Sequence, residues 1–384
     1  MGKFAKRRDA SLRTMHRAMR KLCLAPLRRG VKASGADRYV KRYRSRDFAL
    51  SLIWYFVLGL HSLRELHLRL QADPMFTELN SMRGISNAQL ANLLHDRPPA
   101  LWQPLLAVLL ARVGPVRALL PQAVWAVDAT FFTLGCRLLA RMLGRALQPE
   151  NAGVKLSVVL DLGSLALRSF HLSIGSGHDA EHSEQLLPAH RDITGILLVF
   201  DRGYRKYQFF RDLIGRGADF ITRACATDCF RAVASMLLDA AHPEIVCDEL
   251  GYLGGSRQEP IFLRRIVKRC ADGSELVFLT TVIDLSAADI ALTYARRWDI
   301  ESFFRWLKRH VHLQRPLGYR SLQAAEHTIL AALVVYLLAR LLAETTVDPD
   351  TGRVVVHVGP ALQLLRARLH AKPTARERRA LGFP

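Results

Sequence analysis

Two apolar runs, AVWAVDATFFTL and ILLVFDRGY, each carry one aspartate, Asp128 and Asp201, where strand patterning favours an apolar or β-branched side chain. An ionised carboxylate among such neighbours is costly unless a cation or strong donors compensate it. Taken singly, each reads more readily as a hydrogen-bonded turn residue than as a ligand. Taken together, they mark a sheet that carries acids. VKLSVVLDLG and LALRSFHLSIG, between the two runs, are also β-rich. After Asp201 come KYQFFRDLIGRG, an amphipathic helix with a Gly stop, and the strand ADFITR. Antiparallel strands followed by a strand-helix-strand unit predict an α/β fold, a mixed sheet flanked by helices.

The rest of the chain divides around this region. Residues 1–46 form a basic segment with sixteen Lys and Arg against two acids, opened by Lys6-Arg7-Arg8. Residues 47–114 predict short helices, with Ser62/Glu65 and Ser86/Gln89 in capping-box spacing. A helix-turn-helix-like DNA reader and a plain helical bundle fit them equally. Residues 115–223 hold the strands just described, and 224–285 predict a small β-rich insertion around LGYLGGS. Ser286, spaced to Asp289, caps the helix that opens the next part, 286–345, and 346–384 form a C-terminal segment.

Fifty-five Lys and Arg against 34 acids give a net charge of +21, so the surface attracts polyanions and nucleic acid is the expected partner. The six scattered cysteines form no CxxC pair, which argues against structural zinc and a disulfide framework. LSLIWYFVLGL and TILAALVVYLLA fall short of a spanning helix, so no membrane partner and a cytoplasmic location are expected.

One further acid lies in YARRWDIESFFRWLK. On a single helical wheel, Tyr294, Arg297, Glu301 and Lys308 fall within about 60°, beside an apolar arc of Ile300, Phe303, Phe304, Leu307 and Val311. The plain explanation is an i,i+4 salt bridge from Arg297 to Glu301, a matter of a few tenths of a kcal/mol, roughly. Burial is the expectation for Trp298, with stacking on an unpaired base as the alternative. With Asp128 and Asp201, Glu301 makes a trio of carboxylates that could converge on hard cations such as Mg²⁺. His178, Asp179 and His182 form the rival polar cluster, in a predicted loop.

WAVDAT, VFDRGY and Y-x2-RW-xIE-x-FF-x-LK resemble the three catalytic regions of DDE transposases encoded by bacterial insertion sequences. They are most similar to the subgroup with a Tyr-Arg-Glu-Lys signature and a β-rich insertion ahead of the glutamate. The likeness spans roughly residues 48–340 and includes SLREL and ISNAQLANLL. It implies a ribonuclease H-like catalytic domain interrupted by the insertion, with a helical N-terminal DNA-binding domain. Asp128, Asp201 and Glu301 would then ligate two Mg²⁺ ions, with Mn²⁺ as an alternative. Tyr294, Arg297 and Lys308 would contact the DNA backbone near the transposon end, and Arg202 and Tyr204 could touch the same phosphates or support the turn after Asp201. The expected activity is cut-and-paste transposition: hydrolysis at each element end, then attack of the freed 3′-hydroxyl on target DNA. The expected partners are double-stranded DNA and, on it, a second copy of the chain, at the bacterial nucleoid. The rival expectations are a transposase-derived DNA-binding protein without transposition and a nuclease of the same fold without strand transfer.

Overall fold

A computed structural model describes residues 15–73, 76, 79–113, 123–133, 153–175, 183–255, 259–310, 321–347, 354–367 and 374–380. Lys6-Arg7-Arg8, Val311 and the cluster of His178, Asp179 and His182 lie outside the described residues.

Among the described residues, five helices come first: α1 (Met15–Ser34), α2 (Ser45–Leu58), α3 (Leu63–Ala72), α4 (Asn87–Asp96) and α5 (Gln103–Arg112). Their ends follow local chemistry. Gly59 takes the left-handed conformation (φ 68°) that stops α2 and frees a tight entry into α3. Ser62 caps α3 by accepting Glu65 N–H at 3.1 Å, and Glu65 returns the bond to His61 N–H at 2.9 Å. Ser86 and Gln89 form a complete capping box on α4, with bonds of 3.1 and 2.9 Å. α1 packs so closely on the turn before α5 that a Cβ at Gly30 would stand 2.0 Å from the carbonyl oxygen of Leu101.

Nine strands build one sheet: β1 (Val124–Thr133), β2 (Gly153–Asp161), β3 (Ala166–Ile174), β4 (Leu197–Phe200), β5 (Asp219–Arg223), β6 (Phe230–Ser235), β7 (Ile245–Leu253), β8 (Ile261–Arg269) and β9 (Glu275–Thr280). They lie in the order β3-β2-β1-β4-β5-β9-β8-β7-β6. β1, β4 and β5 run parallel, β2 is antiparallel to β1, and β3, antiparallel to β2, runs in the direction of β1 again. This 3-2-1-4-5 half of the sheet, with helices on both faces, is the ribonuclease H-like architecture. A short helix, α6 (Ser183–Leu186), and α7 (Tyr207–Gly215) cover one face; α8 (Ala287–Ala295), α9 (Trp298–His310) and the 21-residue α10 (Leu322–Leu342) lie on the other.

Residues 224–285 do not form a separate small body. β9 pairs antiparallel with β5 through Ile221↔Thr280 and carries β8, β7 and β6 with it, so the sheet continues without a break. The open edge of β5 explains this, since unpaired strand N–H and C=O groups are satisfied by the next available strand.

The apolar run TILAALVVYLLA lies in α10, which is long enough to cross a membrane. It is instead the central core helix, with 89% of its most apolar window buried against α2, α5 and the sheet. β10 (Thr345–Val347), β11 (Val354–Val356), α11 (Val358–Ala367) and α12 (Ala375–Ala380) complete the chain, and α11 rests on α10.

Candidate active site

Alternation along the strands decides where the two aspartates point. On β1, Val124 and Ala126 belong to the core beneath α10, while Trp125 and Val127 belong to the opposite core. Asp128 shares the side of Ala126. On β4, Leu197 and Val199 face the α10 side, and Leu198 and Phe200 face away. Asp201 keeps extended backbone (φ −82°, ψ 175°) and so shares the side of Val199. The register Val127↔Phe200 puts the two aspartates one step further, on neighbouring parallel strands about 4.8 Å apart.

Each aspartate is fixed locally. Asp128 Oδ1 accepts Ala129 N–H at 2.7 Å. Asp201 Oδ1 accepts Gly203 N–H at 2.7 Å and thereby starts the 3₁₀ turn Arg202–Tyr204.

Glu301 arrives from α9, which lies along β1 on the same face. Arg297 Nη2 donates to Glu301 Oε1 at 3.0 Å, and its Nη1 donates to Asp128 Oδ2 at 3.2 Å. One guanidinium thus holds two acids 173 positions apart in sequence. The expected i,i+4 pair exists, but it is half of a three-membered bridge. Arg297 is 11% exposed, Asp128 15% and Glu301 31%. Burial alone would lower the pKa of this guanidinium; Tyr294, Asp128 and Glu301 outweigh burial and raise it. The Tyr294 phenol is raised, chiefly by burial, with Arg297 and Arg223 opposing and the Asp201 charge adding to the rise. All three acids therefore bear on the Tyr294–Arg297 pair.

Lys308 stands with its ammonium 5.7 Å from the Phe132 ring centre, and burial lowers its pKa. Phe132 is four residues beyond Asp128 along β1, about 13 Å, and Lys308 seven beyond Glu301 along α9, about 10.5 Å. Strand and helix therefore carry their polar groups side by side over that distance.

Four expectations change. First, Tyr294 to Lys308 is not one helix: α8 ends at Ala295 and α9 starts at Trp298. Between them the backbone tightens, with Arg297 N–H on Tyr294 O at 2.9 Å and Ile300 N–H on Arg297 O at 3.1 Å. The two arginines at the break reach in different directions, Arg296 to the Leu162 carbonyl and Arg297 to Asp128. Second, of the two roles expected for Tyr204, its full burial among Phe200 and Phe209 favours support of the turn over contact with phosphate; Arg202 beside it is exposed. Third, Tyr294 is only 6% exposed, against Phe278 at 5.1 Å between ring centres, so in this form it backs Arg297 from inside. Fourth, Trp298 is not buried: it is 57% exposed, with the Arg297 guanidinium 5.7 Å from its ring centre.

Among the described residues, no group of three or more His, Cys, Asp or Glu side chains is gathered closely enough to hold a metal ion as placed. The donors themselves suit a hard cation, being carboxylate oxygens only, from two adjacent strands and one helix. The Arg297 fork supplies positive charge between two of them and stands in for such an ion.

Local patterning did not disclose the Arg297–Asp128 contact, because its partners lie on elements paired only in the fold. The Arg296-Arg297 doublet at the head of an amphipathic helix was the available signal, since two adjacent cations cannot share one helix face.

A family model described as a transposase DDE domain matches residues 122–338, more than half of the chain. The chain is 29% identical over 196 residues to a putative transposase, y4zB, of Sinorhizobium fredii; the match covers 50% of this chain and 54% of that protein. It is 25% identical over 312 residues to a probable transposase for insertion sequence element IS5377 of Geobacillus stearothermophilus, covering 79% of each. The chain thus spans about half the length of the first relative and about four fifths of the second.

Proposed function

The chain belongs to the transposase DDE domain family, and from that premise we propose that it is a cut-and-paste DNA transposase of an insertion sequence, in the subgroup with the Tyr-Arg-Glu-Lys signature. The observation that carries this reading is the common face of Asp128, Asp201 and Glu301, with a single guanidinium between the first and the last. Family membership implies dependence on divalent cations, and Mg²⁺ suits an all-oxygen donor set best.

Asp128, Asp201 and Glu301 would hold the cations, which supply charge stabilisation at phosphorus and favour the deprotonated attacking group. In the first step a water oxygen bonds to phosphorus at the element end, the 3′ oxygen leaves, and a free 3′-hydroxyl results. In the second step that hydroxyl bonds to a target phosphorus and displaces the target's own 3′ oxygen. Arg297 offers a planar fork to a backbone phosphate, and Lys308 offers a point charge further along the same track. Trp298 presents a ring on which an unpaired base can stack. Arg202, exposed beside Asp201, can add a further phosphate contact, while Tyr204 holds the turn beneath it.

Residues outside this face give the duplex a second hold. Arg28, Lys32, Arg38 and Arg44 are exposed around a concavity of about 780 Å³ where α1 meets α2, and none of the four forms an ion pair among the described residues. We assign it to the DNA backbone, without sequence readout. Two element ends must meet for paste to follow cut, which calls for a homodimer on DNA, at the nucleoid in the cytoplasm.

The test is strand transfer with Asp128→Ala, Asp201→Ala and Glu301→Ala. Each should abolish Mg²⁺-dependent end cleavage while duplex binding persists; full joining by any of the three refutes the assignment.

A further inference from the structure

Arg297 does more in this structure than face solvent in wait for a phosphate. Its Nη1 and Nη2 are both committed, to Asp128 at 3.2 Å and Glu301 at 3.0 Å, and the group is 11% exposed. A guanidinium has no acceptor capacity and stays charged, so once off these carboxylates its fork is best satisfied by another anion. A divalent cation asking for the same two carboxylates meets a fixed positive charge on the oxygens it needs. We propose that Arg297 is an internal counter-cation that couples the two ligands of the site: it holds Asp128 and Glu301 in the DNA-free chain, and a DNA phosphate draws it off, so that duplex and divalent cation bind with positive cooperativity. This rests on the carboxylates being metal ligands, as set out above.

Several features of the site fit such a role. Arg297 lies in the break between α8 and α9, whereas Glu301 lies within α9, so Arg297 can swing without uncoupling Glu301 from α9. Exposed Trp298, whose ring lies 5.7 Å from the guanidinium, offers a second resting surface once the carboxylates are released. Lys308 lies over Phe132 and forms no ion pair among the described residues, so a phosphate meets a second cation further along the same face. Coupling is reciprocal by thermodynamic necessity: if the duplex tightens the cation, the cation tightens the duplex by the same factor.

The experiment titrates Mn²⁺ alone, read by the loss of its free-ion electron paramagnetic resonance signal, into the full chain and its variants without DNA. Arg297→Gln and Arg297→Lys should each bind Mn²⁺ about tenfold more tightly than the parent, the size of a typical coupling. Lysine keeps the charge but lacks the fork, so its effect separates bridging from charge at a distance. Arg305→Gln, which removes an exposed charge from α9, should change the affinity less than about twofold. Adding a short duplex should tighten Mn²⁺ on the parent chain by about tenfold and on Arg297→Gln by clearly less. If Arg297→Gln does not fold, as judged by circular dichroism, Arg297→Lys carries the test. Equal Mn²⁺ affinity for parent and folded Arg297 variants overturns the coupling and leaves the metal assignment standing, as does tightening by Arg305→Gln to the same degree. Absence of Mn²⁺ binding by every chain, with and without duplex, overturns the coupling and the metal assignment together.

Discussion

Arg264 and Asp248 face each other across β8 and β7 as a two-pronged ion pair, with Nε on Oδ1 at 2.8 Å and Nη2 on Oδ2 at 2.7 Å, both side chains at most 3% exposed. The third nitrogen of Arg264 donates to the carbonyls of Ile283 at 3.1 Å and Leu285 at 2.7 Å, just ahead of the Ser286 cap of α8. The inserted strands therefore hold the chain that leads to Arg297 and Glu301. Arg264→Ala leaves Asp248 buried and unpaired, and should destabilise the fold by about 3–5 kcal/mol in urea unfolding. Replacing both partners by apolar residues, Arg264→Met with Asp248→Leu, should cost much less. Because the carbonyls before α8 stay unheld in the double variant, its end cleavage should fall by more than its duplex affinity.

That pair also shows where the sequence stops being legible. The strand aspartates stood out because a charge in an apolar run is locally anomalous, and the caps at Ser62, Ser86 and Ser286 because three-residue spacing encodes them. Asp248 and Arg264 sit in ordinary-looking strands, and only the pairing Leu250↔Arg264 and its neighbours make them adjacent. The same holds for the sheet as a whole: residues 224–285 read as strands, yet which edge they would join depends on Thr280 pairing back to Ile221, far apart from it in sequence. The helical wheel misled at Arg296-Arg297 because periodicity continues through a break, while two long-range bonds set the break itself.

Trp298 is a further place where exposure decides the outcome. At 57% exposed it contributes little to the core, so Trp298→Ala should shift the melting temperature by no more than about 2 °C, as for surface changes within ±0.5 kcal/mol. It should weaken binding to a duplex with an unpaired end base by about 1–3 kcal/mol, and to a fully paired duplex by less. Fluorescence anisotropy on the two duplexes measures the difference; equal weakening on both would count against stacking.

The concavity between α1 and α2 predicts an ionic signature. Arg38→Gln with Arg44→Gln should lower the slope of log affinity against log salt by about 0.9 for each phosphate no longer neutralised, alike for unrelated sequences. Both side chains are exposed, so stability should hold. An unchanged slope would remove this surface from the DNA path.

His327 gives the fold a pH dependence of known sign. Trp102 Nε1 can only donate, and it donates to His327 Nδ1 at 2.8 Å, so the neutral ring carries its proton on Nε2, which meets the Arg97 carbonyl at 2.9 Å. Burial pushes the imidazole pKa down from 6.5 to about 4, with the Arg97 bond opposing. A folded pKa below the unfolded one means that the unfolded chain takes up the proton first as pH falls. The stabilisation is therefore whole above pH 6.5, declines between 6.5 and 4, and is lost below that. At 1.36 kcal/mol per unit, the loss is about 3 kcal/mol at most. Urea unfolding at pH 7 and at pH 4.5 should show most of that fall in the parent chain. In His327→Gln, which keeps an acceptor for Trp102 but does not titrate, this part of the fall should vanish although the chain is less stable at pH 7. A parallel decline in both would place the acid sensitivity elsewhere.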